Sequence, residues 1–120
     1  LLVEDNLMNQ QMAKYSIVKA GADIDIANHG KEAVKMLIKR LNAGLGNYDC
    51  IFMDMMMPMM DGAEATVKIR EFEKTFYMKT ENLEKRRKAH VIVGLSANVG
   101  PEYTAKIKEA GMNGSMSKPF

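Results

Sequence analysis

Short apolar runs alternate along the chain with longer segments that place apolar residues three or four positions apart. The runs at 1–3, 50–53 and 91–95 lack polar alternation, as expected for strands that are covered on both faces. Acidic and apolar residues alternate at 23–27, which predicts a strand with a wetter face, and 114–117 fits a short last strand. The pattern therefore predicts five strands.

Four segments between these strands have helical spacing. The first ends at Gly21 and carries four apolar residues at helical intervals: Met8, Met12, Tyr15 and Val18. Asn28 can cap a second helix. A third helix is expected at about 63–73, with three residues turned inward: Ala65, Ile69 and Phe72. Pro101, at a first helical position, starts the fourth.

Strands and helices that alternate at this spacing are typical of βα units, because parallel strands need helical crossovers. A chain of 120 residues can bury one core and is too short for two. We therefore expect a single α/β domain over residues 1–120. Because the chain opens inside a strand, we interpret it as lacking its natural beginning.

Composition and charge exclude several classes of protein. Apolar residues make up 47% and charged residues 27%, the ordinary globular range. No apolar stretch approaches the roughly 20 residues of a membrane span, so this domain is expected to make no membrane contact. A single cysteine, Cys50, excludes an intrachain disulfide. The net charge of +2 does not imply nucleic-acid binding, and we interpret the basic stretch at about 74–88 as an exposed insertion.

Acidic and hydroxyl side chains stand where the predicted strands end. In open parallel sheets the ligand site lies beyond the carboxyl ends of the strands. We therefore expect five residues to converge on one crevice: Glu4 and Asp5 after the first strand, Asp54 after the third, Ser96 after the fourth and Lys118 after the fifth.

Three carboxylates in one crevice repel one another, by about 1 kcal/mol per pair at ~4 Å in water and about 4 kcal/mol at an effective dielectric constant of 20. A cation is therefore expected there. The candidate ligands are all oxygens, which favours Mg²⁺ or Mn²⁺. Such an ion on Asp5 and Asp54 would orient an incoming phosphoryl group. Lys118, the Ser96 hydroxyl and the Ala97 amide would contact the remaining oxygens of the phosphoryl group.

Short motifs in a fixed order resemble the response-regulator receiver family. They are LVEDN at 2–6, MDMMMPMMDG at 53–62, LSAN at 95–98, GMN at 111–113 and SKP at 117–119. The resemblance covers the chain apart from the basic insertion. It implies an α/β, flavodoxin-like, doubly wound parallel sheet of five strands in the order 2-1-3-4-5, with the family's final helix missing from the chain.

The resemblance also implies roles for the site residues. Asp54 resembles the phosphoacceptor, Asp5 a direct Mg²⁺ ligand and Glu4 an outer-sphere ligand. The Met56 carbonyl would complete the protein ligands. Backbone groups expected to contact the phosphoryl group belong to Met55, Met56 and Ala97. Ser96 resembles the switch hydroxyl, and Lys118 the lysine that precedes a cis proline, Pro119.

The opening motif with Asn9, together with Ser96-Ala97-Asn98, resembles receivers fused to hybrid sensor histidine kinases. This implies Mg²⁺-dependent transfer from a phosphohistidine on a histidine kinase domain or a histidine phosphotransfer protein. It also implies a cytoplasmic location, including the cytosolic part of a membrane-anchored kinase, and is compatible with a dimer. The domain would catalyse only its own phosphorylation and dephosphorylation, and any histidine kinase activity would belong to the parent chain.

Two departures from the family pattern leave alternatives open. Ser115 stands where the family usually places an aromatic switch residue, so we expect the output to be phosphotransfer with little change of surface shape. A pseudo-receiver, acting as a phosphorylation-independent interaction module, is the main alternative. A phosphohydrolase is disfavoured because Met56 replaces the acid that such enzymes need. Without the final helix, one face of the sheet would be partly uncovered, as in a fragment.

Overall fold

Five parallel strands form a single sheet in the order β2-β1-β3-β4-β5. The computed structural model describes residues 1–57, 59–78, 89–97 and 100–117. The strands are β1 (Leu2–Val3), β2 (Ile26–Ala27), β3 (Ile51–Asp54), β4 (Ile92–Ser96) and β5 (Gly114–Ser117). The helices are α1 (Leu7–Lys19), α2 (Gly30–Asn42), α3 (Gly62–Met78) and α4 (Pro101–Ala110). The flavodoxin-like sheet and its predicted strand order are confirmed.

The strand register aligns the carboxyl ends of the three central strands. Val3 of β1 pairs with Met53 of β3, and Asp54 pairs with Leu95 of β4. Ser96, the last residue of β4, pairs with Ser117 of β5. The residues that follow β1, β3 and β4 therefore meet at one edge of the sheet, as the sequence predicts.

The helices cover the two faces of the sheet unequally. Helices α2, α3 and α4 bury apolar side chains such as Leu37, Ile69 and Ile107 against one face, in the larger core cluster. Helix α1 lies on the other face, where Ala13 packs with Leu2 and Leu95. Beside α1 is an apolar groove of about 110 Å³, lined by Leu2, Ala13, Ser16, Ile17, Phe52, Leu95 and Met116. In the described ranges there is no fifth helix over this groove, as expected from the sequence.

Helix α1 forms where its apolar spacing predicts, but that apolar stripe is not its buried face. Met8, Met12, Tyr15 and Val18 are 50–75% exposed, while the residues that α1 buries are Gln10 and Ala13. Asn6 caps the helix by accepting a hydrogen bond from the Asn9 amide. Gly21, just beyond the helix, has a φ of 92°, a left-handed conformation that glycine adopts without strain. The sequence therefore predicts the helix and its end, and the structure shows which side faces the sheet.

Two helix boundaries differ from the sequence prediction. The N-cap of α2 is His29, whose Nδ1 accepts a hydrogen bond from the Glu32 amide at 3.1 Å. The assignment of this cap to Asn28 was wrong, because the Asn28 side chain is engaged with Gln10 and Glu32. Helix α3 continues to Met78, beyond the predicted end near 73, so the first residues of the predicted insertion are helical. Residues 79–88 lie outside the described ranges.

A polar network around the buried side chains of Glu73 and His90 joins the middle of α3 to the segment before β4. Arg70 donates to Glu73 Oε1 and to the His90 carbonyl, both at 2.8 Å. Glu73 Oε2 accepts the His90 amide at 2.6 Å and lies 2.7 Å from His90 Nδ1. Arg70 also donates to the carbonyl of Gly111 and to Asn113 Oδ1, so the network reaches the turn before β5. Three elements are thus fixed through one arginine.

Candidate functional site

Asp54 is the last residue of β3, at the predicted site, and it is 2% exposed. The Met56 amide donates a hydrogen bond to Asp54 Oδ1 at 3.1 Å, and the Met55 amide donates to the Leu95 carbonyl at 2.9 Å. The second bond continues the β3–β4 pairing one residue beyond the strand. The loop backbone therefore holds the Asp54 carboxylate and aligns it with the end of β4.

Glu4 and Asp5 lie in the turn after β1, next to Asp54. Glu4 is fully buried, whereas Asp5 is exposed. Carboxylate oxygens of the three residues lie within 4.8 Å of one another. The prediction that the strand ends bring these acids together is confirmed by this geometry.

The three acids suit a hard divalent cation. Each offers oxygen, the donor that Mg²⁺ and Mn²⁺ prefer over nitrogen and sulphur. One acid is exposed while two are buried, which leaves a solvent side where an ion could keep its waters. Among the residues the structure describes, no other group of three His, Cys, Asp or Glu side chains meets at metal-binding distance.

A close backbone contact fixes the loop between Asp54 and α3. A Cβ on Gly62 would overlap the main-chain carbonyl of Asp54, so only glycine allows α3 to begin this close to Asp54. Asp61 caps the same helix, with its Oδ1 accepting the Glu64 amide at 2.9 Å. Asp61 and Gly62 therefore both have structural roles at the start of α3.

Ser96 lies one residue beyond Leu95, the partner of Asp54 in β4, and is buried. Ala97 follows at the same edge of the sheet and is exposed. Ser115, the residue that departs from the family pattern, lies in β5 opposite Gly94 and is exposed. Lys118 and Pro119 fall outside the described residues, as does Asn98, so the roles of Lys118 and Pro119 stay predictions from the sequence.

Several residues beside the site were not predicted from the sequence. Asn9 donates to Glu4 Oε1 at 2.9 Å, and Gln10 donates to the Glu4 carbonyl at 2.6 Å. The Tyr103 hydroxyl of α4 donates to Met56 Sδ at 3.6 Å. The only sequence signal for Gln10 is a polar residue one turn before Ala13, on the side of α1 that faces the sheet.

Comparison with known sequences identifies the family. The model of the response regulator receiver domain matches residues 1–120. The chain is 41% identical over 121 residues to hybrid signal transduction histidine kinase B of Dictyostelium discoideum. It is 36% identical over 128 residues to histidine kinase 2 of Arabidopsis thaliana. Both alignments cover 100% of this chain but only 6% and 10% of those relatives.

Solved receiver structures share the fold. The receiver domain of the Arabidopsis thaliana histidine kinase CKI1, complexed with Mg²⁺, superimposes with a TM-score of 0.79 at 30% identity, covering 97% of this chain and 79% of that one. The Saccharomyces cerevisiae complex of the histidine phosphotransfer protein Ypd1 with the receiver domain of Ssk1 gives a TM-score of 0.78 at 29% identity, covering 98% and 76%. This chain therefore belongs to the response regulator receiver domain family.

Proposed function

We propose that this receiver domain accepts a phosphoryl group on Asp54 from a phosphohistidine. The observation that carries the proposal is the buried Asp54 carboxylate at the end of β3, with the Glu4 and Asp5 carboxylates within 4.8 Å. A carboxylate oxygen of Asp54 attacks phosphorus, and the bond from phosphorus to the histidine nitrogen breaks. That nitrogen keeps the electron pair and takes a proton from solvent. The product is an acyl phosphate on Asp54.

The residues around Asp54 support this chemistry in different ways. The Met56 amide, 3.1 Å from Oδ1, orients the carboxylate. Buried Ser96 offers a hydroxyl at the neighbouring strand end, and Ala97 a backbone amide. Lys118 is proposed from its sequence position alone.

Asp5, Asp54 and the Met56 carbonyl would hold Mg²⁺ directly, with Glu4 contacting it through water. When bound, the ion would neutralise part of the charge on the transferred phosphoryl group. The CKI1 receiver complexed with Mg²⁺ is a relative with the same fold, and the all-oxygen donor set of this chain suits that ion. Mn²⁺ would serve as well, because it prefers the same donors.

Removal of the divalent ion tests the proposal. With phosphoramidate, a small phosphodonor with a phosphorus–nitrogen bond, we expect labelling in Mg²⁺ or Mn²⁺ and a loss of at least about 100-fold in excess chelator, because several kcal/mol of charge stabilisation disappear. Incorporation is measured as phosphate that is bound to the intact protein and is released by alkali. Equal labelling with and without chelator would overturn the metal's role, and no labelling in Mg²⁺ would favour a pseudo-receiver.

We also propose that the apolar stripe on α1 contacts the protein that donates or receives the phosphoryl group. Helix α1 begins three residues after Glu4, and five of its apolar side chains are exposed: Leu7, Met8, Met12, Tyr15 and Val18. Apolar residues clustered on one exposed side of a helix mark interaction surfaces. The Ypd1–Ssk1 complex provides a relative in which a phosphotransfer protein binds a receiver.

A charged substitution on this stripe should affect phosphotransfer from a protein donor but not labelling by a small phosphodonor. The double variant Met8→Glu/Met12→Glu is expected to reduce transfer from a histidine phosphotransfer protein by about tenfold or more, as for loss of interface anchors. Phosphoramidate labelling should stay unchanged, because the acidic site is intact. Val67→Glu, at an exposed apolar position of α3, is the matched control and should behave like the wild type. A similar loss in the control would argue against a specific surface.

The parent protein is proposed to be a hybrid histidine kinase in which this domain is one relay station. Support comes from the kinases that match over this entire chain while extending far beyond it. In such a protein the domain would lie in the cytoplasm, on the cytosolic side of any membrane anchor. Within the described residues, no helix is both long and apolar enough to cross a bilayer.

A further inference from the structure

The side of α1 that faces the sheet is polar where it meets the acidic turn. Gln10 is 5% exposed, and burying a side-chain amide is unfavourable unless its hydrogen bonds are made. Its Nε2 donates one hydrogen bond to the Glu4 carbonyl at 2.6 Å and another to Asn28 Oδ1 at 2.9 Å. This buried amide therefore ties the turn after β1 to the turn after β2.

Glu4 is held at three separate groups. Its amide donates to the Ala27 carbonyl at 3.1 Å, and its carbonyl accepts from Gln10. Its carboxylate Oε1 accepts from Asn9 Nδ2 at 2.9 Å. Backbone and side chain are thus both restrained, although Glu4 lies in a turn.

The restraint extends to α2. Asn28 Nδ2 lies 3.3 Å from both carboxylate oxygens of Glu32, in the first turn of that helix. The turn that carries Glu4 and Asp5 is consequently linked, through Gln10 and Asn28, to helix α2 outside the site.

We propose that Asn9 and Gln10 are positioning residues that hold Glu4 ready for the metal. The inference rests on the proposed Mg²⁺-dependent function. Carboxylates within 4.8 Å of each other repel, so a free Glu4 side chain would turn away from Asp54 and Asp5. Asn9 offsets that repulsion with a neutral donor, which adds no cation to compete with the metal. Gln10, which donates to the Glu4 carbonyl, restrains the backbone of Glu4.

Mg²⁺ affinity, measured by calorimetry on the unphosphorylated protein, provides a readout that does not depend on phosphotransfer. Asn9→Ala is expected to weaken Mg²⁺ binding about tenfold, as for loss of a hydrogen bond that orients a metal-site carboxylate. The melting temperature of Asn9→Ala should not decrease along with its Mg²⁺ affinity, since alanine has a higher helix propensity than asparagine. The matched control is Gln11→Ala, at an exposed position of the same helix, and it should bind Mg²⁺ like the wild type.

A double-mutant cycle shows whether Asn9 acts through Glu4. In a Glu4→Gln background, Asn9→Ala should change Mg²⁺ affinity less than twofold, because the carboxylate it orients is gone. An equal loss in both backgrounds, or no loss in the wild-type background, overturns the positioning role while wild-type Mg²⁺ binding and labelling still support the proposed function. Absence of Mg²⁺ binding by the wild type overturns both.

Gln10→Met keeps the approximate size of the side chain and removes both donors. It should weaken Mg²⁺ binding at least as much as Asn9→Ala, with a lower melting temperature, because two hydrogen bonds are lost. Wild-type affinity in a folded Gln10→Met protein would contradict its part in the proposal. If that variant does not fold, the Asn9 cycle decides alone.

Discussion

Glu73→Ala is expected to lower the free energy of unfolding by about 3–5 kcal/mol, the cost of removing one partner from a buried charged pair. Glu73 is 3% exposed, and its carboxylate accepts hydrogen bonds from Arg70 and from the His90 amide, with His90 Nδ1 at 2.7 Å. Its loss would leave the His90 amide without an acceptor and Arg70 without its nearest anion. Urea unfolding followed by circular dichroism measures the change.

Controls distinguish this network from an ordinary surface ion pair. Glu71→Ala, which removes an exposed partner of Lys68 on the same helix, should cost less than about 1 kcal/mol. Glu73→Gln, which keeps the shape, should cost less than Glu73→Ala. Equal small losses for Glu71→Ala and Glu73→Ala would contradict the buried network.

The same network predicts a pH dependence. Burial alone would raise the pKa of Glu73, but hydrogen bonds from His90 and then Arg70 outweigh it and hold the pKa below its ordinary value. In acid the unfolded chain then binds a proton before the folded one does, so the stability from Glu73 is complete above the unfolded pKa of about 4.3. It is lost as the pH falls through the folded pKa. Glu73→Gln should remove this contribution to the decrease in the free energy of unfolding at acidic pH.

Asp54→Asn is expected to abolish phosphoryl labelling, a loss of at least about 1000-fold, because an amide oxygen is a poor nucleophile and no other carboxylate occupies its place. The fold should persist without the metal, since the substitution is isosteric and removes one of three mutually repelling charges. Labelling by phosphoramidate and by a phosphohistidine protein measures the first effect, and thermal unfolding the second.

Asp61→Asn supplies the control for this loss. Asp61 lies at the far end of the same loop and caps α3, and asparagine caps helices equally well. Labelling should therefore match the wild type. Labelling that survives in Asp54→Asn, or disappears in Asp61→Asn, would assign the acceptor to another residue.

The placement of the acids could be predicted from the sequence because it follows from topology. Parallel strands present their carboxyl ends at one edge, so Glu4, Asp5 and Asp54 had to approach one another once the strands were recognised. The 4.8 Å cluster confirms that step. Ser96 follows from the same rule, since it ends the strand that pairs with β3.

The packing of α1 could not be predicted, because spacing alone does not tell which side of a helix faces the sheet. Its apolar stripe points to solvent, while small Ala13 and polar Gln10 face inward. An amide in the core is acceptable only where it has partners, and those partners lie in two separate turns. Nor does spacing indicate that Glu73 and His90, 17 residues apart, are bonded.

The most direct test of Asp54 as acceptor is chemical mapping of the product. After transfer from a phosphohistidine protein in Mg²⁺, borohydride reduction converts an aspartyl phosphate to homoserine, and mass spectrometry of the fragments locates it. Homoserine is expected at position 54 and nowhere else. Homoserine at another acid, or unreduced aspartate at 54 in a protein that carries the label, would contradict the assignment.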